Sequence, residues 1–164
     1  MTKPNSAALL TLFQPTAAQL EKLRTSVRLR TARSQTEILI ADVNEGTRQI
    51  LSEMLRKNVL PNACKVYVAA NAKEAWTQYF SYAPDICFLS LAMPEIDGYR
   101  LSRLLHTIDS AVKVVMITKA DAPADGAKLK DSGAKGVITQ PYDLHKVIAV
   151  VQKLVPTSKG AKKK

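Results

Sequence analysis

Residues 88–98 read FLSLAMPEIDG. An apolar run ends at Ser90, a Met-Pro pair follows, and an Asp-Gly pair closes the stretch. Buried parallel strands read as short continuous apolar runs, and Gly and Pro punctuate their ends. The layout is that of a strand whose carboxyl end delivers one side chain to a loop-lined pocket. That side chain is a hydroxyl, Ser90.

Working outward, DICFLSL (85–91) is one of five such runs. The others are EILIA (37–41), KVYVAA (65–70), VKVVMIT (112–118) and KGVIT (135–139). All are strand-length and rich in β-branched residues. Between them apolar residues recur at helical spacing: Ile50, Met54 and Leu55; Ala72, Ala75, Trp76 and Tyr79; Leu101, Leu104 and Leu105; Ala124, Ala127 and Leu129; Leu144, Val147, Ile148 and Val151. Alternation of this kind predicts right-handed βαβ units and an α/β doubly wound parallel sheet. Ligands of such sheets gather beyond the carboxyl ends of the strands. That rule singles out Asp42, Ser90, Thr118 and the pair Gln140-Pro141.

On ILIAD, PDICFLSLAMPEIDGYRL, VVMIT and GAKGVITQPYDLHKV, residues 36–153 resemble the receiver domain of bacterial two-component response regulators, the CheY-like superfamily. The resemblance implies a flavodoxin-like (βα)5 fold with strand order 2-1-3-4-5. It also implies a pocket in which an aspartate accepts a phosphoryl group from a histidine kinase. Such chemistry needs a carboxylate nucleophile, further acids holding Mg²⁺ through oxygen, a lysine for the phosphoryl oxygens and a hydroxyl switch.

Three of those positions depart from the family pattern. Ser90 stands where the nucleophilic aspartate is expected, Val43 where a second acid would follow Asp42, and Gln140 where a lysine precedes Pro141. Asp42 and the switch hydroxyl Thr118 remain. Two missing carboxylates leave about one formal negative charge for a hard dication that wants several oxygen ligands. A serine hydroxyl without an adjacent base is a poor nucleophile. The expectation is a pseudo-receiver, not an enzyme, with no metal and no cofactor. Val137 occupies the position of the family's aromatic switch on the fifth strand. Pro141 is expected to follow a cis peptide bond, and Tyr142 to pack beside it.

The chain carries 24 Lys and Arg against 14 Asp and Glu, a net charge of +10. Residues 1–35 hold Lys3, Lys22, Arg24, Arg28, Arg30 and Arg33 against Glu21, and the end of the chain holds Lys153, Lys159, Lys162, Lys163 and Lys164 with no acid. Residues 36–151 are therefore neutral, and nothing in the central domain favours polyanions. Pro15-Thr16 can open a helix on which Leu20, Leu23 and Val27 share a face. The chain thus divides into a basic, partly helical arm (1–35), the receiver-like domain (36–153) and a Lys-rich tail (154–164) expected to be disordered. The arm either docks its apolar stripe on the domain or on a second copy, or binds anions through Arg24, Arg28, Arg30 and Arg33. Arg24 and Arg28 match the RxxxR spacing of cyclic-dinucleotide binders, whose companion motif is missing.

Two cysteines, Cys64 and Cys87, lie in or beside apolar runs without CxxC or Cys/His spacing, as free thiols of a reducing compartment do. AALLTLF (7–13) is too short to span a membrane. A cytoplasmic signalling protein is expected, acting by phosphorylation-independent protein–protein contact. The resemblance places that contact on the receiver's fourth helix, fifth strand and fifth helix, residues 121–153; the arm is a second candidate. The alternative is a regulator that binds nucleic acid or a nucleotide second messenger through its basic ends. Nucleic-acid binding by such arms is expected to be weak and non-specific.

Overall fold

Each apolar run becomes a strand because its alternate side chains have a layer of helices to pack against on either face. The computed structural model of the chain describes residues 13–61 and 63–155. Along it run α1 (Ala17–Arg30), β1 (Thr36–Ala41), α2 (Glu45–Met54), β2 (Cys64–Ala69), α3 (Ala72–Tyr82), β3 (Ile86–Ser90), α4 (Gly98–Ile108), β4 (Val114–Lys119), α5 (Gly126–Asp131), β5 (Gly136–Gln140) and α6 (Leu144–Leu154). The strands form one parallel sheet in the order β2-β1-β3-β4-β5. This is the parallel sheet that the alternation predicts, in the 2-1-3-4-5 order that the resemblance implies.

Period-two alternation sorts the core. Leu39, Ala41, Cys87, Leu89, Val114 and Met116 face a layer built from Leu23 of α1, Trp76, Tyr79 and Phe80 of α3, and Leu101 and Leu105 of α4. Ile38, Ile40, Ile86, Phe88, Val115 and Ile117 face Leu51 of α2, Leu55 beyond it, and Val147, Val151 and Leu154 of α6. Every residue of β3 is buried, as befits the central strand.

Helix starts are set by short polar side chains. Asn44, Asn71, Asp97, Asp125 and Asp143 each accept a first-turn N–H. Thr16 and Gln19 form a reciprocal capping box at the head of α1, with bonds of 3.1 and 2.9 Å. Two expectations need correction. Ile50, placed on the buried face of α2, is 58% exposed, and Leu51 takes the core position instead. Ala124 lies before α5 and Ala127 is exposed on it, and this helix of 6 residues buries none of its side chains.

The arm's helix docks on the domain. Leu23 is buried, Leu20 and Val27 pack beside it, and Phe13 meets Trp76 edge-on at 5.7 Å. Polar groups complete the joint. Ser26 donates to the carbonyl of Ser81, and Arg33 donates to those of Tyr82 and Ala83 at 2.8 and 2.6 Å. Helix α3 thus has carbonyls at its carboxyl end, where partners within the helix run out, satisfied by α1 and the residues after it. Residues 1–12 and the lysines from 159 onward, with their expected behaviour, lie outside the described residues. Among the described residues no helix is long and apolar enough to cross a membrane.

Candidate functional site

The carboxyl ends of β1, β3, β4 and β5 bring Asp42, Ser90, Thr118 and Gln140 to one edge of the sheet, as their strand positions require. What fixes the loop after β3 is the Asp-Gly pair of the opening stretch. Asp97 caps α4 by accepting from Arg100 N–H at 2.9 Å. Gly98 then passes so close to β3 that a Cβ there would lie 2.6 Å from the Ser90 carbonyl oxygen. No larger residue fits without moving the backbone that carries Ser90.

Ser90 is 8% exposed, and its hydroxyl oxygen accepts from Ala92 N–H at 3.3 Å, closing a local turn. Asp42 is 7% exposed. Its carboxylate accepts from Asn44 N–H at 3.0 Å and from the Gln140 amide at 3.4 Å. The same Gln140 amide donates to the Tyr142 hydroxyl at 3.1 Å. Burial pushes the Tyr142 phenol up to about 12, and the nearby Asp42 charge adds to the rise against the opposing Gln140 hydrogen bond. Thr118 Oγ1 lies 3.3 Å from Thr139 Oγ1. Val43 points into solvent at 53% exposure. The peptide before Pro141 is cis. Val137, opposite Met116, packs partly buried against the α3–α4 side of the core, away from the Tyr142 side.

Sequence reasoning missed Arg48. From the first turns of α2 its guanidinium donates to the carbonyls of Asp42 at 2.6 Å and Val43 at 3.3 Å, pinning the loop that leads out of β1. Nothing in the sequence marks it, because the contact depends on how α2 turns back over β1. As a metal site the pocket fits poorly. Asp42 is the carboxylate that the singled-out residues supply, its oxygens already accept hydrogen bonds, and an arginine holds the adjacent carbonyls. Among the described residues no group of three or more His, Cys, Asp or Glu is arranged to hold a metal ion.

The arm's arginines divide into two pairs. Arg30 and Arg33, expected as anion-binding groups, are committed inside the protein. Arg30 pairs with Asp109 at 2.5 Å, where the Tyr79 hydroxyl also donates at 2.6 Å, and Arg33 pairs with Glu37 at 2.8 Å. Burial alone would raise the Asp109 carboxyl, but the hydrogen bonds from Tyr79 and Arg30 and the Arg30 charge together hold it below the usual carboxylate range. Arg24 and Arg28 remain outward, Arg24 in an exposed pair with Glu21 at 3.3 Å.

A parallel sheet in this order, with a polar cluster beyond its carboxyl edge, defines the doubly wound class whose sites lie at that edge. The family model for the response regulator receiver domain matches residues 38–152, and the chain belongs to that family. The transcriptional regulator PhoP of Salmonella typhimurium is 27% identical over 111 residues, 68% of this chain and 50% of its own length. The probable transcriptional regulator ycf29 of Porphyra purpurea is 27% identical over 108 residues, 65% of this chain and 52% of its own. This chain thus spans about half the length of the curated relatives it matches. Among solved structures, the Vibrio cholerae chemotaxis response regulator CheY4 superposes with a TM-score of 0.65 at 20% identity, covering 74% of this chain and 99% of that one. The Borrelia burgdorferi CheX–CheY complex with BeF3 and Mg²⁺ gives 0.63 at 27% identity, covering 72% and 87%.

Proposed function

We propose that this receiver signals through protein contacts without accepting a phosphoryl group on its pocket. The observation that carries the reading is the hydrogen-bonding of the pocket itself. Ser90 takes the family's phosphoacceptor position with its oxygen turned to Ala92 N–H, and Asp42 faces the Gln140 amide where the family has a cation. The Val43 side chain offers no oxygen to a metal and is exposed to solvent, and the Val43 carbonyl is held by Arg48. A hydroxyl with no base beside it and a single carboxylate give neither a nucleophile nor a charge-balanced seat for Mg²⁺ and phosphate.

Such a domain keeps the receiver's surfaces and loses its chemical input, so its state is set by binding. The partner surfaces are the α5–β5–α6 face, residues 121–153, and the docked arm. The second reading, nucleic acid or a nucleotide messenger held by the basic ends, has less support. Arg30 and Arg33 are held by Asp109 and Glu37. The test is incubation of the wild-type chain with acetyl phosphate and Mg²⁺, read by intact mass. No phosphoryl gain is expected; a stoichiometric gain of one overturns the reading.

A further inference from the structure

Docking of α1 creates a feature that a bare receiver lacks. Between α1 and the carboxyl end of α4 lies a cleft of about 570 Å³, lined by Leu20, Leu23, Val27 and Ile108 below and by Arg24 and Arg28 at its edge. That volume is within the range of cavities that take a ligand or an anchoring side chain. Its charge is one-sided. The Asp109 carboxylate in the lining is neutralised by Arg30 and bonded by Tyr79. Glu21 holds Arg24 through a pair in which both side chains are more than 70% exposed, a contact that a competing carboxylate displaces at little cost. The Arg28 guanidinium makes no hydrogen bond or ion pair among the described residues.

We infer that this cleft docks an acidic amphipathic helix of a protein partner. An apolar side chain of the partner enters between Leu20, Val27 and Ile108, and carboxylates one helical turn apart pair with Arg24 and Arg28. The match is geometric as well as electrostatic. Residues four apart on a helix stand about 6 Å apart at Cβ, so two arginines spaced this way meet acids spaced the same way. The inference rests on the protein-contact reading above and names its surface and the chemistry of its partner. The receiver surface at residues 121–153 plays no part in it.

The test is fluorescence anisotropy with the full chain and a labelled helical peptide carrying Glu residues one turn apart beside a Leu stripe. The same peptide with Lys for Glu, and a labelled DNA duplex, are run beside it. Binding of the acidic peptide alone is expected. The double variant Arg24→Glu/Arg28→Glu is expected to weaken it at least about tenfold, since each lost contact is replaced by repulsion. The control Arg56→Glu/Lys57→Glu, at two exposed positions beyond α2 and with the same change in net charge, is expected to leave it unchanged. If charge reversal lowers the melting temperature, the neutral pair Arg24→Gln/Arg28→Gln carries the comparison. No binding of the acidic peptide, equal loss in the control, or DNA bound through the same arginines in its place overturns the inference. Intact mass after phosphodonor treatment is read on the same sample. Peptide failure without phosphoryl gain overturns the cleft alone, whereas phosphoryl gain overturns the reading beneath it.

Discussion

Replacing Arg30 by methionine keeps most of the aliphatic stem and removes the cation facing Asp109. The two side chains are 13% and 6% exposed, and their contact is 2.5 Å. Removing one partner of a buried pair costs about 3–5 kcal/mol, because the remaining charge is left uncompensated. Asp109 keeps the Tyr79 hydroxyl at 2.6 Å and Ala111 N–H at 3.1 Å. Those bonds offset part of that cost and place the loss just below the range, about 2–3 kcal/mol, or roughly 5–10 °C in melting temperature for a chain of this size. Urea unfolding followed by the fluorescence of Trp76, buried beneath Phe13, measures it. The sign of the pH dependence follows from Asp109. A carboxyl held low in the fold contributes stability that is present above its unfolded pKa of about 4 and lost as pH falls through the lower folded value. The gap between wild type and Arg30→Met therefore narrows below about pH 4. A loss under about 0.5 kcal/mol at neutral pH, the range of an ordinary surface change, refutes the claim that α1 is clamped by a buried ion pair.

Three further outcomes are expected. Gly98→Ala drives a methyl into the Ser90 carbonyl and lowers stability by about 1–3 kcal/mol, with the largest amide shifts at residues 90–98 in NMR spectra. Leu23→Ala opens a cavity between α1 and α3 and costs about 2–4 kcal/mol in the same urea assay; a surface-sized loss means that α1 is not part of the core. Ultraviolet titration finds one phenol, lost in Tyr142→Phe, ionising near 12, and Gln140→Ala moves it higher because the amide hydrogen bond favours the phenolate.

How much the sequence disclosed varies with the range of the interaction. The strands were legible because burial on both faces leaves a continuous apolar run, as in ICFLS, and each predicted run overlaps its strand closely. The edge residues Asp42, Ser90, Thr118 and Gln140 were legible because a parallel sheet aligns its strand ends. Ile50 and Leu51 were not separable, since adjacent apolar residues leave the phase of a helix open by one step. The charge of Arg30 and Arg33 was visible, but not its partner. A run of arginines reads as solvated until the fold brings Asp109, 79 residues away, against it. Tyr79 reads from its spacing as a core aromatic, and its hydroxyl's role on Asp109 is likewise long-range. Arg48 had no signal, because its acceptors are backbone carbonyls.

On the function proposed above, Ser90, Val43 and Gln140 together withdraw the nucleophile, the metal-binding acid and the cation of phosphoryl transfer. The most direct test is phosphoryl incorporation from acetyl phosphate and Mg²⁺, measured by intact mass on the wild type, on Ser90→Asp, and on the triple variant Val43→Asp/Ser90→Asp/Gln140→Lys. None is expected on the wild type, at most a trace on the single variant, and a base-labile acyl phosphate in stoichiometric yield on the triple variant alone. Stoichiometric incorporation by the wild-type chain contradicts the proposal.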